Sequence, residues 1–251
     1  MAATGQDWIE PDWPAPPGVR AVVTTRRLPG RSLPPYDRFN LGARCGDAAD
    51  AVAANRAALM AFLALPAAPL WLQQVHGADV VDADVQAADT EWVADASVAR
   101  TANAALAILT ADCLPVLFAS DDGAAIGAAH AGWRGLSGGV VEATVARLGV
   151  SADRVMAWLG PAIGARSYEV GEDVRSAFVE VDPVAAEAFV PTRPRHWSCD
   201  LSALARRRLA HCGVSRVYGG GFDTLADPRF YSYRRDRDTG RFATLIWRAK
   251  T

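Results

Sequence analysis

The chain carries little that would tie it to nucleic acid, to a membrane or to the secretory route. Its 26 basic residues are outnumbered by 28 acidic ones, for a formal net charge of −2. A protein held to a phosphate backbone by charge needs the opposite balance. The one dense basic cluster, LARRRLAH at 204–211, reads as the solvated face of a helix. There are four cysteines (Cys45, Cys113, Cys199 and Cys212), and no two form a C-x-x-C pair. In a reducing compartment this argues against a disulfide framework. The N-terminal segment mixes acids, prolines and tryptophans, where a secretory signal would place a basic region before an apolar one. The longest apolar stretch, 102–119, is broken by Asp112 and Pro115, so two buried strands explain it better than a membrane span. The expectation is a cytoplasmic protein, a monomer or weak homodimer, with no nucleic-acid or membrane partner.

What is present is the composition of a folded enzyme-sized chain. Of 251 residues, 51% are hydrophobic and 22% charged, enough to bury a sizeable core. Residues 1–18 read as an irregular arm and 19–251 as one domain. Strands are expected at 19–26, at 103–112, 114–120 and 123–131, at 155–164, 216–224 and 241–247. Two short ones flank a turn at Gly77 within 70–84. Helices are expected at 46–65, stopped before Pro66, at 136–149, ended by Gly149, and near 171–180, 183–189 and 200–212. Clustered strands mixed with helices indicate α+β or a layered α/β/α sandwich on a mixed sheet, not the strict alternation of a Rossmann sheet.

The chemistry concentrates in two segments. TADCLPVLFAS (110–120) sets Asp112 beside Cys113 inside an apolar run, and AAHAGWRG (128–135) follows with His130. Only four histidines exist. Two of them, His76 in QVHG and His130, end strand-like runs and precede Gly or Ala-Gly, and Cys113 lies at a strand junction. Loops at strand ends are where a rigid scaffold presents chemistry. One thiolate and two imidazoles suit zinc, with the fourth position left for water or substrate, and copper would compete for the same ligands. The spacing matches no short ligand motif. Two other readings therefore stand beside the metal: two hydrogen-bonded histidines with a buried thiol, or a Cys–His pair with Cys113 as nucleophile. Asp112 fits either a group that orients a histidine or carries a proton, or a cap on the turn between two strands. Arg134, in GWRG, suits an anionic group such as phosphate. Arg26 and Asn40 flank the long loop 27–42 and are candidates to bind substrate at a pocket.

Together these segments resemble the YfiH-like family, described first as multicopper polyphenol oxidases (laccases) and later as purine nucleoside phosphorylases. The resemblance runs through TTR (24–26), FNLGARCGDAADAVAANRAAL (39–59), LQQVHGADV (72–80), ADASV (94–98), TADCLPVLF (110–118), AAHAGWRGLSGGVVEATV (128–145), GPAIGARSYEVGEDV (160–174) and FYSYRRDRDTGRFATLIW (230–247). It implies His76, Cys113 and His130 as metal ligands and a layered α/β/α scaffold likened to cysteine hydrolases. It implies zinc-dependent phosphorolysis of adenosine, inosine, guanosine and methylthioadenosine, with deamination of adenosine. Deamination at C6 suits a zinc-activated water, with Asp112 as proton carrier. Phosphorolysis needs phosphate aimed at C1′, for which Arg134 and Arg26 are the candidates. An amidase acting on wrongly built peptidoglycan precursors is the first alternative. A copper-dependent phenol oxidase is the second, and four histidines are too few for its several copper centres. A metal-stabilised binding module is the third, and no fourth ligand stands beside the three. Two departures from the family pattern are visible. RLPGRS (27–32) replaces a G-G-V-S-like segment in a loop expected to border the pocket. Asp223 in FDT (222–224) stands where many members carry cysteine, which removes a potential further copper ligand.

Overall fold

The computed structural model describes residues 8–85 and 91–249. Along each long strand, alternate side chains enter different hydrophobic layers, as the two-residue period of a strand requires. In the strand Leu114–Ser120, Leu114, Val116 and Phe118 face one layer, and Leu117 and Ala119 face another. The strand Ala105–Thr110 sends Leu106 and Ile108 into the layer of Leu117, and Ala105 and Ala107 away from it. Two sheets therefore lie face to face around a shared core that includes Val23, Ile126, Trp158, Phe230 and Ile246.

The first sheet is antiparallel, in the order Trp8–Ile9, Val19–Thr24, Phe242–Arg248, Ala105–Thr110. The second is mixed, in the order Arg216–Gly219, Val155–Leu159, Leu114–Ser120, Ile126–Ala131, Ala96–Ala99, Val80–Asp82. The outer pair at each end of this sheet is parallel, and the inner pairs are antiparallel. Leu59 of the helix Ala49–Leu63 covers the outer face of the first sheet. The helices Val140–Arg147, Glu172–Val179 and Leu201–His211 cover the outer face of the second. The layered sandwich expected from the sequence thus holds two sheets between its helices instead of one. No helix among the described residues is long and apolar enough to cross a membrane.

Several expected elements change in detail. Trp8 and Ile9, placed in the irregular arm, pair with Thr24 and Val23 as an edge strand. The rest of that expected arm before them, residues 1–7, lies outside the described residues. The helix expected over 136–149 is two helices, Trp133–Ser137 and Val140–Arg147, because Gly139 adopts φ 93° between them. The two strands flanking Gly77 enter different sheets: Leu72–Gln73 pairs with Trp92–Val93, and Val80–Asp82 pairs with Ala96–Ala99. A small antiparallel sheet of Glu169–Gly171, His196–Cys199 and Phe189–Arg193 has no apolar alternation and was not legible in the sequence.

One feature of this topology positions the site. The chain leaves the first sheet at Thr110 and enters the second at Leu114. The corner between them is Ala111-Asp112-Cys113, and Asp112 turns it with φ 96°. Aspartate tolerates a left-handed conformation better than most residues.

Candidate metal centre

Cys113 ends that corner, His130 lies in the strand Ile126–Ala131, which pairs with Leu114–Ser120, and His76 sits in the loop after Gln73. One ligand atom from each comes within 4.8 Å of the other two. The Cys113 Sγ to His76 Nε2 distance is 3.8 Å, and the two imidazole rings meet edge to face at 4.8 Å between centroids. Two ligand atoms of a tetrahedral zinc site are roughly 3.5 Å apart, given Zn–S and Zn–N bonds of ordinary length. The donor set and its spacing therefore fit a zinc-sized ion. Gly132 makes room for the cluster, since a Cβ there would come within 2.9 Å of Cys113 Sγ and 3.2 Å of His76 Cδ2.

The organiser of the cluster is Asp95, which the sequence did not single out. It is fully buried. Its Oδ1 accepts from His130 Nδ1 at 2.7 Å and from the His76 backbone N–H at 2.9 Å. Its Oδ2 accepts from the N–H groups of Val75 at 3.1 Å and Gly77 at 2.7 Å. Three successive backbone donors thus converge on one carboxylate, a nest made possible by the left-handed φ of 63° at His76. Burial alone would push the Asp95 carboxyl up, but the hydrogen bonds from His130, Gly77 and Val75 hold it below the usual carboxylate range. With Nδ1–H donated to Asp95, the lone pair of His130 is fixed on Nε2, the nitrogen left for a metal.

Cys113 and His130 also shift one another. Burial pushes the Cys113 thiol up, but the His130 charge and hydrogen bonds from His130 and His76 outweigh it and bring the thiol down to about 6. Burial pushes His130 down, but the Cys113 charge and the bond to Asp95 raise it to about 9. Without a metal the two form a thiolate–imidazolium pair near neutral pH. With a metal, the thiolate is already the ligand form.

A cavity of about 350 Å³ opens over Cys113, His76 and His130, a size suited to a small organic substrate. Its walls include Gln74, Leu109, Tyr233, Arg44, Arg56, Glu91 and Arg241. Gln74 fixes the His76 loop to the first sheet by exchanging two hydrogen bonds with Leu109, at 2.7 and 2.8 Å.

The other residues expected at the site stand around it in supporting positions. Both Asp112 oxygens are engaged: Oδ1 accepts from Thr224 Oγ1 at 2.7 Å and Oδ2 from the Arg234 N–H at 2.7 Å. That is the geometry of a turn-holding carboxylate. Arg26 pairs with Asp37 at 3.3 Å and Asp236 at 3.6 Å and lies over the Tyr231 ring. Arg134 is exposed and stacks on Trp133 at 4.2 Å. Asn40 is fully buried, with Oδ1 accepting from the Gly42 and Arg241 N–H groups and Nδ2 donating to the Gly42 carbonyl, Cys45 Sγ and Asp47. None of these four lines the cavity. Asn40 instead holds the loop that does.

Comparison with known proteins decides the family. The family model described as "Multi-copper polyphenol oxidoreductase laccase" matches residues 20–249. The chain belongs to this YfiH-like family. It is 55% identical over 246 residues to a Xylella fastidiosa protein named purine nucleoside phosphorylase, covering 94% of this chain and 95% of that one. An Escherichia coli K12 protein named purine nucleoside phosphorylase YfiH is 48% identical over 240 residues, covering 95% of this chain and 98% of its own. The crystal structure of a Neisseria meningitidis protein superposes with a TM-score of 0.93 at 45% identity, over 97% of this chain and 100% of that one.

The two departures from the YfiH-like pattern have structural readings. The 27–32 loop does not line the cavity. It is held against the helix Ala49–Leu63 by Asn55, which accepts from the Arg31 N–H at 2.8 Å and donates to Ser32 Oγ at 2.9 Å. Asp223 accepts from the Gly164 N–H at 3.0 Å and from Ser167 Oγ at 2.6 Å, so it ties two loops together.

Proposed function

We propose that the protein is a zinc-dependent purine nucleoside phosphorylase acting on adenosine, inosine, guanosine and methylthioadenosine, with a secondary adenosine deaminase activity. The observation that carries this reading is the His76–Cys113–His130 set on the floor of a 350 Å³ cavity. It occurs in a chain 48–55% identical to relatives named for that activity. The residues would divide the work as follows. Asp95 keeps His130 in one tautomer and orientation. Gln74 and the Asp95 nest fix the His76 loop. Gly132 leaves space for the sulfur. A zinc ion held by the three side chains would supply a Lewis acid with one open position. The test is direct. Zinc-loaded protein is incubated with adenosine or inosine, with and without phosphate, and the products are separated by chromatography, with Cys113→Ala alongside. Free base and ribose 1-phosphate should appear only with phosphate and vanish in the variant. A folded, zinc-loaded protein that turns over neither nucleoside refutes the reading.

A second reading rests on a separate observation. Cys113, His130 and Asp95 have the order of nucleophile, base and orienting carboxylate. In an amidase of cell-wall precursors, Sγ would attack the amide carbonyl, and His130 would give its proton to the departing amine. Water would then release the acyl group. Amide cleavage that survives removal of metal by chelator would favour this reading over the first.

A further inference from the structure

We propose that Arg241, with Arg44 at the rim, forms an oxyanion subsite in the cavity, and that its ligand is inorganic phosphate. This assignment of the ligand rests on the phosphorylase reading; the subsite itself rests on the geometry that follows.

Arg241 is fixed from both ends. Its backbone N–H donates to Asn40 Oδ1 at 2.8 Å, and its carbonyl accepts from the Leu41 N–H at 3.1 Å. Its stem lies on bare backbone at Gly42, where a Cβ would come within 2.8 Å of Arg241 Cγ. One edge of its guanidinium is pinned by two carbonyls: Nη1 donates to Thr239 at 2.7 Å and to Gly240 at 2.9 Å. Among the described residues the remaining guanidinium N–H groups make no hydrogen bond and no ion pair. Arginine in this state is a pre-positioned donor that has not been given a partner.

The neighbouring charges reinforce it. Arg44 and Arg56 share one carboxylate, Glu91, at 3.3 and 3.0 Å. Arg56 is further committed to the Leu41 carbonyl at 3.0 Å and to the face of Trp71 at 4.2 Å. Among the described residues, three guanidinium groups and a single carboxylate therefore face the cavity, which makes this wall positive in a partly enclosed space. Such a wall raises the local concentration of anions. Arg26 and Arg134 are otherwise engaged and lie outside it.

Phosphorolysis needs this group. A phosphate oxygen forms a bond to C1′ as the N9–C1′ bond breaks. The base leaves with that electron pair, and the proton of hydrogen phosphate ends on the base. A guanidinium fork holds a tetrahedral oxyanion by two parallel donors and leaves another oxygen free to attack.

The test titrates inorganic phosphate into the zinc-loaded protein by calorimetry and measures KM for phosphate and for inosine. Wild type is compared with Arg241→Gln, Arg241→Lys and Arg44→Gln. Phosphate affinity should fall about tenfold or more in Arg241→Gln, the loss expected on removing a charge-assisted pair. KM for phosphate should rise in parallel, while KM for inosine moves less than about twofold. Arg241→Lys should recover part of the loss, and Arg44→Gln should show a smaller loss. If Arg241→Gln does not fold, the lysine and Arg44 variants carry the test. Phosphorolysis with an unchanged phosphate KM in all folded variants overturns the subsite and leaves the function intact. Phosphate binding lost in the variants of a protein that consumes no nucleoside keeps the subsite and overturns the function. Acetate bound more tightly than phosphate overturns phosphate as the ligand.

Discussion

Replacing Asp95 with asparagine changes one atom and should disable the metal centre. The carboxylate accepts four hydrogen bonds, two on each oxygen. An amide offers one oxygen and one NH2, so one pair of donors must face another donor. If the NH2 takes the Oδ2 position, it opposes the Val75 and Gly77 N–H groups and the nest opens. If it takes the Oδ1 position, it opposes the His76 N–H. His130 can then accept from it only by moving its proton to Nε2, which removes the lone pair needed for metal. Each donor left without a partner costs about 1–3 kcal/mol, so the metal-free variant, settling in the less costly arrangement, should lose about 1–3 kcal/mol of stability. Loss of such a supporting partner lowers metal affinity by roughly 10–100-fold. The assay is a zinc competition titration against a chromophoric chelator, paired with urea unfolding of the metal-free protein. Zinc affinity within twofold of wild type, with an unchanged unfolding midpoint, would show that Asp95 does not organise the site.

Four further outcomes follow from the same geometry. Gly132→Ala should change stability by less than about 1 kcal/mol, because the atom it meets first, Cys113 Sγ at 2.9 Å, is the far end of a side chain that can turn about χ1. It should nevertheless weaken zinc binding by displacing that sulfur, and an unchanged zinc titration refutes this. Asn40→Ala leaves the Gly42 and Arg241 N–H groups without an acceptor and should cost about 2–4 kcal/mol in urea unfolding; a change below about 0.5 kcal/mol contradicts it. In metal-free protein the Cys113 thiol is lowered to about 6, so thiolate persists above that pH and is lost below it. Alkylation at Cys113, followed by peptide mass mapping, should therefore rise with a midpoint near pH 6 and be blocked by zinc; a midpoint near the ordinary thiol value of about 8.5 is the contrary result. Protein exposed to excess copper and desalted should retain about one ion per chain by metal analysis, and retention of two or more would reveal a ligand set not described above.

The parts of the site legible in the sequence are those whose residue types are out of place locally. Cys113, His76 and His130 interrupt or end apolar runs, so each is conspicuous without knowledge of its partners. Asp95 is conspicuous only in three dimensions. It stands before a short apolar strand, and its four donors come from 18 to 35 residues away. An aspartate abutting a fully buried strand, Ala96–Ala99, was the available signal. Arg44, Arg56 and Arg241 carry no local signal, because the fold alone brings these distant positions to one wall. The two-sheet architecture was hidden for a related reason. Ala105–Thr110 and Leu114–Ser120 both read as buried strands, and their periodicity does not say that they belong to different sheets. Only Asp112, turning with φ 96° between them, marks the crossing.

The family description speaks of several coppers, and this chain's own ligands argue for one metal. Among the described residues, His76, Cys113 and His130 form the one group of three metal-ligating side chains. The other histidines are elsewhere: His196 lies with Nδ1 3.0 Å from the Pro194 carbonyl, and His211 lies 3.9 Å from Asp182. Cys199 is buried, and its thiol is pushed up to about 12 by burial and by Asp200. Cys45 faces the cavity but is held by Asn40 and the Gly42 carbonyl. Dioxygen reduction by a multicopper oxidase draws electrons through more than one copper centre, which a single three-ligand site does not provide. On the phosphorylase reading, a metal held by His76, Cys113 and His130 would polarise an electrophile, and the arginines lining the same cavity would hold the anion. The crossing between the sheets explains why the two meet. It sets Cys113 at the start of the second sheet, and Asn40 and Leu41 hold Arg241 just before Phe242–Arg248, an inner strand of the first, so both side chains line one cavity.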